Sequence, residues 1–210
     1  AEADGRRIII MKDETTMPGG MQSGSMARWF EELCRYECQP IRKATVSSGT
    51  RLRPGAYIAK GGVYAFWWTG PLSLLRSRNR TLFLSGGGGK PVQLEIDDGW
   101  LGMEAEHPIP LYVGKTSENL QKRIGMHLRL GKKEPLNEGN RKSRPTTSCQ
   151  LRSGIDHFFP KEKDTRSVLL ENVSVSYVVL HGSDNAANRF YLEDLAIGLM
   201  RPPFNVDVER

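Results

Sequence analysis

The sequence predicts an α+β domain, on three observations. Runs rich in aromatic and β-branched residues read as strands at residues 63–68, 111–113 and 173–180. Segments with apolar residues at helical spacing lie before, between and after them. At 210 residues, with 38% hydrophobic and 26% charged residues, the chain is long enough for one soluble domain with a small extension.

Residues 1–24 are polar and carry Met17-Pro18-Gly19-Gly20, which predicts a flexible arm. Residues 25–59 read as an N-terminal helical extension. Met26, Trp29, Phe30 and Leu33 recur at helical spacing, with Ser25 as the expected cap. Residues 45–55 read as a loop. The first strand, from Val63, stops at Thr69-Gly70-Pro71. Residues 71–108 are long for a connection and predict an insertion with a small strand or helix of its own. The Gly86–Gly89 run there precedes Lys90-Pro91, not Lys-Ser/Thr, which rules out a P-loop.

After the second strand, Thr116 or Ser117 is the expected cap of a helix running to about Gly131, with Leu120, Ile124 and Leu128 as its apolar stripe. Residues 131–172 read as a second insertion, basic and turn-rich up to 148, with a short helix from Gln150 ended by Pro160. The strand at 173–180 alternates β-branched residues with Ser174 and Ser176. A last helix spans about Asn185 to Arg201, with Leu192, Leu195, Ala196 and Leu199 expected to face the core, and Pro202-Pro203 ends it.

Charge is unevenly placed. Residues 115–166 hold 13 Lys and Arg against 6 Asp and Glu, while the remainder holds 17 against 18. A localised basic segment is the footprint of a phosphate-backbone binder, and equally of a solvated basic loop. No apolar run approaches membrane-spanning length, and the first residues show no signal-peptide pattern. The expectation is a cytoplasmic protein with no membrane partner. Three cysteines make no disulfide framework. Cys34 and Cys38, one helical turn apart, have the spacing of two zinc ligands, but no fourth ligand stands at a recognised spacing, and reduced thiols are the simpler reading.

Several residues carry possible chemistry. Arg123 and His127, four apart, share a helix face. An arginine there can bridge two phosphate oxygens, and a histidine can move a proton; such pairs are also common surface residues. Glu193 borders an apolar face, with Phe190, Ile197 and Met200 as helical neighbours. It needs a hard cation such as Mg2+, a salt bridge to Arg189, or an exposed position. Tyr64 and Tyr112 each sit in a strand. They read as ordinary strand aromatics or as proton-transfer groups that need a nearby cation, Lys115 or Arg123.

Taken in order, Gly62-Val63-Tyr64, Tyr112-Val113-Gly114, Arg123 in a helix with His127 one turn on, Glu193 and Asn205 resemble the motifs of the GIY-YIG nuclease superfamily. Val replaces Ile in both triplets. The resemblance covers roughly residues 60–206 and is nearest to the type II restriction endonucleases of that superfamily. It implies a nuclease domain over 60–210, built on a small three-stranded antiparallel sheet flanked by helices. It also implies hydrolysis of DNA phosphodiesters with one Mg2+ (or Mn2+) per site. By the same resemblance Tyr64 activates water, Arg123 stabilises the phosphate and Glu193 binds the metal. Tyr112, Lys115 and His127 support the site, and Asn205 braces it. Arg76, Arg78, Arg80, Lys132, Lys133, Arg141, Lys142 and Arg144, in the insertions, are the expected DNA contacts. The partner is then double-stranded DNA, and a palindromic target would call for a homodimer. A nuclease directed to DNA structure or damage is the alternative. An inactive DNA-binding protein is a further one, against which the intact Tyr64, Arg123 and Glu193 set argues.

Overall fold

In a computed structural model of the chain, residues 62–68 form a strand buried at all seven positions. The structure describes residues 23–35, 40–46, 51–85, 91–96, 99, 108–128, 150–162 and 164–205. In chain order the elements are α1 (Ser23–Cys34), β1 (Gly62–Trp68), α2 (Leu72–Arg76), β2 (Thr81–Ser85), β3 (Pro91–Glu95), β4 (Ile109–Thr116), α3 (Leu120–Leu128), α4 (Gln150–Phe158), α5 (Thr165–Asn172), β5 (Val173–Val179) and α6 (Ala186–Met200). No helix among the described residues is long and apolar enough to cross a membrane.

β1 is the centre of a three-stranded antiparallel sheet of order β4-β1-β5. Its nearly unbroken apolar run suits a strand covered on both faces. On one face, Val63, Ala65 and Trp67 join Val113, Val178, Leu33, Leu192 and Ala196 in a core roofed by α1 and α6. On the other, Tyr64, Phe66 and Trp68 join Tyr112, Leu120, Ile124 and Leu128 with residues of α4 and α5. Both faces of β5 are also covered. Ser174 and Ser176 are buried, and Ser176 accepts from Trp67 Nε1 at 2.7 Å while donating to Leu33 O at 2.5 Å. That chain of bonds ties the last turn of α1 to the sheet.

Several expectations shift. The helix α1 starts at Ser23, so Ser25 lies inside its first turn and is not the cap. Asn119, not Thr116 or Ser117, caps α3: its Oδ1 accepts from Lys122 N at 2.9 Å. Leu199 is 62% exposed; Ile197 and Met200 pack toward the core instead. The helix α5 was not expected. Asp164 caps it, accepting from Ser167 N at 3.2 Å, and Leu169 and Leu170 enter the core. The 71–108 segment does form elements of its own, α2 and the β2–β3 hairpin, which buries Leu82. The segment 1–22, the run Gly86–Gly89, the end of α3 near Gly131, Cys38 and Cys149 lie outside the described residues.

Close backbone approach explains one glycine of the first triplet. A Cβ on Gly62 would overlap the carbonyl oxygen of Val178 on β5, which cannot yield without parting the strands. Gly125 differs: a Cβ there meets only Leu52 Cδ1, at 3.6 Å, an ordinary contact on a helix. We therefore expect Gly62→Ala to destabilise the chain by about 1–3 kcal/mol and Gly125→Ala to stabilise it by about 0.5–1 kcal/mol. Urea unfolding of the two variants checks the pair, and equal effects would contradict this packing.

Candidate active site

The site is built around the hydroxyl of Tyr64. The β1–β4 register sets Tyr64 opposite Gly114. A Cβ on Gly114 would stand 2.5 Å from Tyr64 Oη and 2.9 Å from a Tyr112 ring carbon. The absent side chain is what lets the phenol lean over β4. Above it lies α3, docked by Leu120, Ile124 and Leu128, all fully buried. That docking turns Arg123 and His127 to the same target. His127 Nε2 lies 2.6 Å from Tyr64 Oη, and Arg123 Nε donates to that oxygen at 3.3 Å.

His127 is fully buried, with its ring against Tyr112 (4.8 Å between centroids), Phe66 and Tyr64. Burial, and then the Arg123 charge, push its pKa down to about 3, so it is neutral near pH 7. A Tyr64 O–H donating to Nε2 corresponds to an imidazole proton on Nδ1, and an Nε2–H donating to the phenol oxygen to the other tautomer. Nδ1 has no hydrogen-bond partner among the described residues. Burial also raises Tyr64, to about 12, against the pull of its Arg123 hydrogen bond and charge; Glu193 adds to the rise. The same burial raises Tyr112 further. The expected depression of a tyrosine by nearby cations is thus outweighed, and both phenols are protonated at neutral pH.

Glu193 comes to the site from α6, on the other face of the sheet. Lys115 sits opposite Val63, so it points to the α6 side, and its ammonium donates to Glu193 Oε2. Lys115, expected as a cation beside the tyrosines, is thus paired with Glu193. Neither reading offered for Glu193 without a metal holds: its carboxylate side chain is 14% exposed, and Arg189 instead donates to the carbonyls of Leu180 and Gly182. Burial raises the Glu193 carboxyl above its ordinary range, opposed by Lys115. Phe190, half exposed one turn earlier on α6, lies under the Lys115 ammonium at 5.2 Å. Phe190 was noticed in the sequence only as an apolar neighbour.

Asn205 braces β4 from outside. Its Oδ1 accepts from Val113 N at 2.6 Å, and its Nδ2 donates to Val113 O at 2.7 Å. Gln121, on the other flank of α3, accepts from Tyr57 N at 2.9 Å and donates to Arg53 O at 3.0 Å, fixing the 53–57 loop; no sequence signal marked it.

The other expected residues separate. Arg76 and Arg80 are exposed. Arg78 is corrected from a DNA contact to a structural group. It is only 4% exposed, donates to Leu75 O and Ile96 O, and lies over the Phe158 ring. Lys132, Lys133, Arg141, Lys142 and Arg144 lie outside the described residues. Cys34 is semi-buried, and burial raises its thiol to about 11, which suits an inert protonated side chain.

Among the described residues no three His, Cys, Asp or Glu side chains gather as a metal cluster. Glu193 alone fits a hard cation of the Mg2+ type, which one carboxylate, waters and substrate oxygens commonly hold. The Glu193 carboxylate is paired with the Lys115 ammonium. No protein-family model matches the chain, and no curated protein or solved structure does either.

The buried His127 ties stability to pH. Its pKa is about 3 in the folded chain and 6.5 free, so between these values the unfolded chain binds the extra proton. Stability should fall as pH drops through that window, by up to about 1.4 kcal/mol per pH unit. In His127→Gln that component of the slope should vanish. Urea unfolding at pH 7, 6, 5 and 4, taken as the difference between the two proteins, measures it; parallel curves would refute a neutral, buried His127.

Proposed function

We propose that the chain is a divalent-metal-dependent DNA endonuclease that hydrolyses phosphodiester bonds, of the restriction or phage-defence kind. The observation that carries this reading is the meeting of Arg123, His127 and a Gly114-accommodated phenol at the Tyr64 oxygen, with Glu193 close enough to raise that phenol. Each of these residues was singled out by its place in one motif order. Their convergence from four separate elements supports their acting together.

The geometry favours a relay. With Tyr64 protonated, a water attacking phosphorus passes its proton to the phenol oxygen as the phenol proton moves to His127 Nε2. A His127 pKa of about 3 in the folded chain makes a resting imidazolium unfavourable. A phosphodiester anion bound at Arg123 offsets the second cause of that lowering and so eases the transfer. Arg123, held by Nε on Tyr64, brings a guanidinium charge to the place proposed for the phosphate. Tyr112, whose hydroxyl bonds to no described residue, is available to the phosphate. A divalent ion bound at Glu193 would supply charge stabilisation for the leaving 3′ oxygen. Asn205 and Gly114 hold the strand under these groups.

Incubation with plasmid, phage and branched oligonucleotide DNA in Mg2+ tests the proposal. Discrete double-strand fragments support a restriction enzyme. Cutting confined to branches or single strands supports the structure-directed alternative, and binding without any cutting supports an inactive DNA-binding protein. Tyr64→Phe, Arg123→Ala and Glu193→Ala should each lower the cleavage rate by about 10²-fold or more while leaving DNA binding, read by fluorescence anisotropy, largely in place. Full activity of Glu193→Ala would remove the metal from this reading.

A further inference from the structure

The carboxylate that the proposed reaction needs for a divalent ion already holds a cation of the chain's own. Lys115 reaches Glu193 because the alternation of β4 turns it to the α6 side, the side away from the Tyr64 phenol. Its ammonium is held from two directions, by Glu193 Oε2 and by the face of Phe190 at 5.2 Å. Phe190 is 49% exposed, joins neither buried cluster and meets Tyr191 edge-on at 5.7 Å between centroids, so its ring lies at the surface beside the Lys115 ammonium. A lysine tip set between a carboxylate and an aromatic face is restrained beyond what an open surface pair gives.

We propose that Lys115 is the resident cation of the Glu193 site, that a divalent ion binds there by displacing it, and that Phe190 sets how hard the displacement is. The inference rests on the metal role given to Glu193 above. A half-buried carboxylate stripped of counter-charge is costly, so the ammonium keeps the site formed while no ion is bound. An incoming ion must part the pair, which lowers its apparent affinity. Once released, the ammonium is free to meet the phosphodiester anion. Loading of the ion and arrival of the substrate then favour each other.

The test reads metal binding, not cleavage. Amide resonances of 15N-labelled protein near Glu193 are followed as Mn2+ is added, and the concentration that half-broadens them is recorded for wild type and variants. Lys115→Met should bind Mn2+ about tenfold more tightly, Phe190→Leu about two- to fivefold more tightly, and Lys115→Arg, which keeps the cation, close to wild type. Glu193→Gln should lose the site-specific broadening. Because Phe190 is half exposed, its replacement keeps the test open if Lys115→Met folds poorly. Unchanged or weaker binding in both Lys115→Met and Phe190→Leu overturns the displacement while leaving the nuclease reading intact. Absence of site-specific broadening in every variant overturns the displacement and the metal role of Glu193 together. DNA cleavage that persists in Glu193→Gln separates that second result from failure of the nuclease reading.

Discussion

The phenol of Tyr64 can lie across β4 only because the residue opposite it carries no side chain. Cross-strand neighbours ordinarily stand side by side, each filling the space above its own strand. At Gly114 that space is empty, and the Tyr64 ring takes it. The hydroxyl then falls beneath α3, where one helical turn supplies both Arg123 and His127. Every later feature of the site depends on this placement. A helix docked by Leu120, Ile124 and Leu128 would otherwise present a buried histidine to nothing but rings.

Burial governs the electrostatics of the cluster more than the Arg123 charge does. It raises both tyrosines, which Arg123 offsets only in part, and it lowers His127, which the Arg123 charge lowers further. The ground state is a neutral phenol bonded to a neutral imidazole, polarised by a guanidinium. Such a pair stores no charge at rest and still defines a direction for a proton. Glu193 and Lys115, on the other side of the sheet, are a separate pair of opposite charges. The Glu193 charge nevertheless reaches both phenols and adds to their rise.

The legible parts of the sequence were those whose signal is local. The three strands of the sheet follow from short β-rich runs, and the shared face of Arg123 and His127 from a spacing of four. The helix α5 went unseen because Thr165–Asn172 carries only a weak apolar pattern, its mark being the cap at Asp164 and Ser167. In α6, apolar residues lie all round the axis, so periodicity could not separate the exposed Leu199 from the packed Ile197 and Met200. The basic run around Arg78 read as a surface because charge patterning cannot show that the chain folds its middle arginine onto two carbonyls and a phenyl ring. The Lys115–Glu193 pair needs two facts at once, the face Lys115 takes on β4 and the face α6 covers, and only the first is local.

The register of β4 joins these pieces. Phe66 pairs with Tyr112 but Trp67 with Pro110, so Leu111 is an extra residue, a bulge. Pro110 lies beside it on an edge strand, where a missing N–H removes no ladder bond. Without the bulge, holding Ile109 against Trp68 would shift 112–115 by one position and turn each side chain to the opposite face. Gly114 would leave Tyr64, and Lys115 would leave Glu193. The C-terminal turn fastens the bulged edge: Phe204 N donates to Leu111 O at 3.1 Å, and Asn205 takes both backbone groups of Val113. Asn205 is thus far from the reacting groups in role but not in consequence. It holds the register in which one strand offers a gap to the phenol on one face and a cation to the carboxylate on the other.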